Sequence, residues 1–192
     1  MRAVESLPAG YREIYSVNLQ KNKKIAIVLN VAALIIAAVM IVPMNAFVPI
    51  SSLFSMENGL INYLIRFFVF IASMIAYICL HELIHGITMK AFGTKQVKYG
   101  FTGLYAFAGS EDYYDKKSYI IIALAPVVVF LFVLAVINVL VPLEWFWVVY
   151  FLQILNVSGA AGDLFVTFKF SQMPKDILVQ DSGVGMTVYS AS

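Results

Sequence analysis

Four long apolar blocks separated by short polar stretches organise this chain. The first runs from Ile25 to Val42 and continues past Pro43 to Phe47, with Asn30 as its one strongly polar interruption up to Val42. The second starts at Phe67, passes through Leu80 and reaches Phe92 if the helix continues across His81 to His85. Tyr119 to Val141 forms the third and Trp145 to Phe168 the fourth, with only Pro142, Leu143 and Glu144 between them. Each block approaches the roughly 20 residues that carry a helix across a bilayer. None resembles the short periodic runs of a packed soluble core. A three-residue connection makes the last two an antiparallel pair.

The predicted fold class is therefore an all-α integral membrane protein with four transmembrane helices, at about 25–47, 67–92, 119–141 and 145–168. Residues 1–24 form an N-terminal segment and 169–192 a tail. A different period appears between helices two and three. From Val97 to Phe107, through Leu104, apolar and polar residues alternate on both sides of Thr102-Gly103, which predicts a small β-hairpin. The tail from Pro174 to Ser192, with Gly183 and Gly185, shows no pattern that assigns it a role.

Composition agrees with a lipid environment. Of 192 residues, 61% are hydrophobic and 12% charged, and the mean hydropathy of +0.86 lies far above that of an ordinary soluble domain. Basic residues are distributed asymmetrically. Arg2, Arg12, Lys21, Lys23 and Lys24 precede the first block; Lys90, Lys95, Lys98, Lys116 and Lys117 lie around the 93–118 loop; Lys169 and Lys175 follow the fourth block. The stretch from Pro43 to Asn58 and the Pro142 turn have none, and Arg66 alone falls toward the outer side. The excess of Lys and Arg in cytoplasmic loops puts both termini and the 93–118 loop in the cytoplasm. The net charge of +2 reflects this topology and not nucleic-acid binding. The first block exceeds the apolar run of a signal peptide and is expected to remain as a helix. A single cysteine, Cys79, excludes an intramolecular disulfide.

The chain has two histidines, and they stand four apart: His81, Glu82, Leu83, Ile84, His85. On a helix, positions i and i+4 share a face, so two imidazoles can hold one Zn²⁺ while Glu82 acts as a general base beside it. A charged side chain at mid-bilayer costs roughly 2.5–3.5 kcal/mol, so Glu82 in a membrane helix needs a functional reason to be there. A catalytic zinc takes three protein ligands. Asp163, the one acidic residue of the fourth block, is the candidate third. With the fourth block taken as one helix running in the same direction as the second, a rise of about 1.5 Å per residue places it roughly as deep as His81 and His85. Asn156 is seven residues earlier, on the same face, among the small residues Ser158, Gly159, Ala160, Ala161 and Gly162. It is a candidate for contact with a substrate peptide or a developing oxyanion, or else for an interhelical polar contact. Cys79 points away from the ligand face and is not expected to bind metal.

With these residues in view, the chain resembles the site-2 protease-like intramembrane zinc metalloproteases, and within them a short bacterial branch of zincin peptidases. The likeness covers roughly residues 60–170: His81-Glu82-Leu83-Ile84-His85-Gly86, Ala123-Leu124-Ala125-Pro126, and the Asn156–Asp163 element. It implies zinc on His81, His85 and Asp163, one ion per chain, with Glu82 as catalytic base and Asn156 as a substrate contact. A membrane-embedded protein substrate, the bilayer as partner and a bacterial cytoplasmic membrane as location follow from the same likeness. Gly159 stands where such proteins commonly have proline, and Leu164 where glycine usually follows the aspartate. The competing expectation is a proteolytically silent zinc-containing membrane protein that binds a client helix.

Overall fold

A computed structural model describes residues 3–18, 21–103 and 105–191; Arg2, Leu104 and Ser192 lie outside them. The elements in chain order are β1 (Arg12–Asn18), α1 (Lys23–Phe47), α2 (Leu60–Ala91), β2 (Lys98–Phe101), β3 (Ala106–Gly109), β4 (Tyr113–Asp115), α3 (Lys116–Leu140), α4 (Phe146–Gly159), α5 (Ala161–Ser171), β5 (Leu178–Asp181) and β6 (Gly185–Ser190). Short 3₁₀ turns occupy Ile50–Phe54 and Leu143–Trp145.

The chain is mostly helical, and among the described residues four helical stretches are long and apolar enough to cross a membrane: Lys23–Phe47, Leu60–Ala91, Lys116–Leu140 and Leu143–Ser171. Local chemistry sets their ends. Asn22 caps α1 by accepting the Ile25 amide at 3.2 Å. Asp115 caps α3, accepting the amides of Lys117 and Ser118 at 3.0 and 3.2 Å. That cap starts the helix before the apolar block predicted from Tyr119. At the other boundary α2 begins at Leu60, well before Phe67, and Arg66 within its added turns donates to the Ser55 carbonyl at 2.5 Å. The fourth stretch departs from a continuous helix. Ala160, at φ −77° and ψ 13°, ends α4, and α5 restarts at Ala161.

The chain divides into two compact units. One comprises Asn30–Cys79 and Val127–Ala161. Its interior gathers Tyr77, Leu134, Val149 and Leu152. Trp147, fully buried, shares its indole N–H between the carbonyls of Val48 and Pro49. α1 buries none of its most apolar window, and apolar side chains such as Leu34 and Val42 are exposed there.

The other unit takes the chain up to Leu29, Leu80–Pro126 and Gly162 onward. It contains the predicted hairpin: β2 and β3 pair antiparallel from Lys98↔Gly109 to Phe101↔Ala106. The turn between them closes by the Thr102 amide donating to the Tyr105 carbonyl, with Gly103 at φ +90°. The Phe107 ring lies across its cross-strand partner Gly100.

The all-α expectation needs amendment here. β1, β6, β5 and β4 form a second, four-stranded antiparallel sheet in that order. The tail is thus a structural hairpin. Leu178↔Tyr189 to Asp181↔Met186 pair across a turn in which Gly183 sits at φ +84° and donates its amide to Asp181 Oδ1 at 2.8 Å. One core unites the sheet with three helices: Tyr114, Val179 and Val188 pack with Met89 of α2, Tyr119 and Ile122 of α3, and Val166 and Phe170 of α5.

Gly109 lies so close to the tail hairpin that an added Cβ would fall 2.4 Å from the Gly183 nitrogen and from the Ser182 carbonyl carbon. Both neighbours are backbone. Gly109→Ala is therefore expected to destabilise the protein by about 1–3 kcal/mol, the usual cost of overpacking, seen as a lowered Tm of the detergent-solubilised chain. An unchanged Tm would refute the close approach.

Candidate metal centre

His81 and His85 project from one face of α2, their ring centroids 4.9 Å apart at an interplanar angle of 74°. Asp163 comes from another part of the chain, in the first turn of α5, where the positive end of the helix dipole favours a carboxylate. The break at Ala160 creates that helix start. His81 Nε2 lies 3.4 Å from Asp163 Oδ2, and His85 Nε2 lies 3.7 Å from Asp163 Oδ1. One donor atom from each of the three residues falls within 4.8 Å of the other two.

These distances suit a small cation. Two atoms each about 2.1 Å from a tetrahedral zinc are about 3.4 Å apart. Proton placement points the same way. His85 Nδ1 is 2.9 Å from the Ile122 carbonyl oxygen. A carbonyl only accepts, so Nδ1 carries the proton, and in the neutral ring Nε2 presents a lone pair. That lone pair faces a carboxylate oxygen. A metal ion between them, or a second proton on the ring, satisfies both acceptors in this buried site.

Glu82 follows His81 on the same helix, half-buried, and its carboxylate accepts the backbone amide of Ala108 on β3. Gly86 makes room for the hairpin: the Tyr99 side chain of β2 occupies the space where a Cβ would be, with its hydroxyl 1.9 Å from that position. The glycine after the second histidine is thus a contact surface for β2.

Asp181 stands behind the cluster and ties three pieces together. Its Oδ2 accepts the Tyr119 hydroxyl at 2.6 Å, its Oδ1 the Gly183 amide, and its carbonyl the Ser110 amide at 2.7 Å. Burial pushes its carboxyl above the ordinary range, while the Tyr119 hydroxyl and Gly183 amide pull it back. No pattern in the tail marks this residue; only the Asp181-Ser182-Gly183 turn chemistry hints that a hairpin folds there.

The structure thus brings together His81, His85 and Asp163, with Glu82 next to the first. Asn156 belongs to the other unit. There it is fully buried, donating from Nδ2 to the Val127 carbonyl and accepting from the Tyr77 hydroxyl, both at 3.0 Å. Cys79 is exposed and outside the cluster.

Two helix-borne histidines four residues apart and a carboxylate distant in sequence form a donor set that could hold a metal ion, here in a chain whose described residues include four helices long and apolar enough to cross a membrane. Residues 74–178, more than half of the chain, match the family described as "Putative zincin peptidase", and the chain belongs to that family. The name of the family points to zinc-dependent peptide hydrolysis. A protein of Pyrococcus woesei described as "Uncharacterized 24.7 kDa protein in gap 5'region" is 31% identical over 137 residues, covering 69% of this chain and 57% of that one. The match therefore spans less than two thirds of that relative's length. No solved structure matches the chain.

The contact between Gly86 and Tyr99 carries a test. Gly86→Ala is expected to lower stability by about 1–3 kcal/mol by driving Tyr99 off α2. Adding Tyr99→Ala should recover most of that loss, giving a strongly non-additive double-mutant cycle in thermal unfolding. Additive losses would contradict the contact.

Proposed function

We propose that the chain is a site-2 protease-like intramembrane zinc endopeptidase in which His81, His85 and Asp163 hold one Zn²⁺ per chain and Glu82 is the general base. The observation that carries this reading is the convergence of His81 Nε2, His85 Nε2 and the Asp163 carboxylate within 4.8 Å of one another, with His85 Nδ1 turned to the Ile122 carbonyl and a carboxylate at Glu82 beside the cluster. When bound, zinc supplies a Lewis acid for the scissile carbonyl and lowers the pKa of water.

The protein's own groups do the rest. His85 is held in one tautomer, so its Nε2 is always the donor atom. Asp163 contributes the negative charge that two neutral imidazoles lack. Glu82 takes the proton of the attacking water and passes it to the leaving amine, so no covalent intermediate forms. The Ala108 amide steadies that carboxylate.

The substrate is a membrane-embedded protein or peptide, and its scissile bond must leave the helix before its carbonyl is reachable. Among the described residues β2 pairs with β3 alone, so the exposed outer edge of β2 can receive an unwound segment by strand addition. Asn156 has both polar ends of its amide engaged, so a substrate contact there would displace Tyr77 or the Val127 carbonyl. The lipid bilayer is the working environment, with both termini and the hairpin on the cytoplasmic side.

Glu82→Gln separates binding from chemistry. The purified variant is expected to keep about one zinc per chain and to lose cleavage of a model transmembrane substrate by roughly 10²–10⁴-fold, the usual contribution of a general base. Cleavage at the wild-type rate would refute the role of Glu82. Zinc-loaded wild type that cuts no substrate would favour a client-binding role without proteolysis.

A further inference from the structure

Pro126 lies inside α3 and is fully buried. In an α-helix the carbonyl of residue i receives the amide of residue i+4, so Ile122 would ordinarily accept from residue 126. Proline has no amide hydrogen. The buried Ile122 carbonyl therefore lacks that partner, and the proton it receives comes from His85 Nδ1 at 2.9 Å.

We infer that Pro126 is a positioning residue for the metal centre: by withholding its own amide it reserves the Ile122 carbonyl for His85, and so fixes the nitrogen that His85 presents to the ion. Resting on the zinc reading above, this assigns a task to the Ala123-Leu124-Ala125-Pro126 segment, which a helix of spanning length does not otherwise explain. Proline in a helix interior disfavours the helix by about 3 kcal/mol. Its presence one turn beyond the carbonyl that orients a candidate ligand gives that cost a purpose. Pro43 of α1 is the internal comparison: it too sits inside an apolar helix, but α1 contributes nothing to the metal-donor cluster.

The test uses the full-length protein in detergent with Pro126→Ala and Pro43→Ala. Zinc affinity is read by chelator competition, the ligand field by the visible spectrum of the Co²⁺-loaded protein, and stability by thermal unfolding of the metal-free form. With an amide at 126 competing for Ile122, Pro126→Ala is expected to bind zinc about 10–100-fold more weakly, the range for loss of an outer-shell partner. Its Co²⁺ spectrum should change and its metal-free Tm should stay level or rise. Pro43→Ala should bind zinc as wild type does. Wild-type affinity in Pro126→Ala overturns the inference, as does weakened binding accompanied by an equal loss of metal-free stability. Failure of wild type and Pro43→Ala alike to bind zinc would instead bring down the zinc reading, and this inference with it.

Discussion

One hydrogen bond orders the candidate centre: His85 Nδ1 to the carbonyl of Ile122. It sets the ring's tautomer and rotation together, and both decide whether Nε2 meets Asp163 or turns away from it. His81 and His85 share a face because four residues make about one helical turn, which needs no tertiary help. What helix periodicity cannot supply is the direction of each ring, and for His85 that comes from a different helix.

Asp163 and Glu82 depend on tertiary structure in the same way. A continuous fourth helix would place Asp163 in mid-helix; the interruption at Ala160 gives it a helix start instead. Glu82 meets an amide from β3, and β3 is held by the tail through Gly109 and the Ser110–Asp181 bond. Asp181 also binds Tyr119, one turn before Ile122 on α3. The C-terminal hairpin therefore braces both the strand beside the base and the helix that orients a histidine.

Much of this was legible in the sequence where the signal is local. Long apolar blocks revealed the four helices, the His81–His85 spacing marked the shared face, and alternation about Thr102-Gly103 located the β2–β3 hairpin. Asp163 could be proposed because it is the one acidic residue in its block. The four-stranded sheet was not legible, because its pairing joins Arg12–Asn18, Tyr113–Asp115 and the tail, far apart in sequence, and β4 and β5 have only three and four residues. The start of α3 shifted because the Asp115 cap begins the helix before its apolar block, and α2 begins at Leu60, ahead of its block. The tasks of Ile122 and Ala108 lie in their backbone atoms, so no side-chain pattern could disclose them.

The most direct test of the account is X-ray absorption at the zinc edge on purified, zinc-loaded wild-type protein, with bound metal counted on the same sample. The account predicts one zinc per chain in a first shell of nitrogen and oxygen at about 2.0–2.2 Å that includes two imidazoles. A chain that takes up no zinc, or a shell containing sulfur at about 2.3 Å, would contradict it.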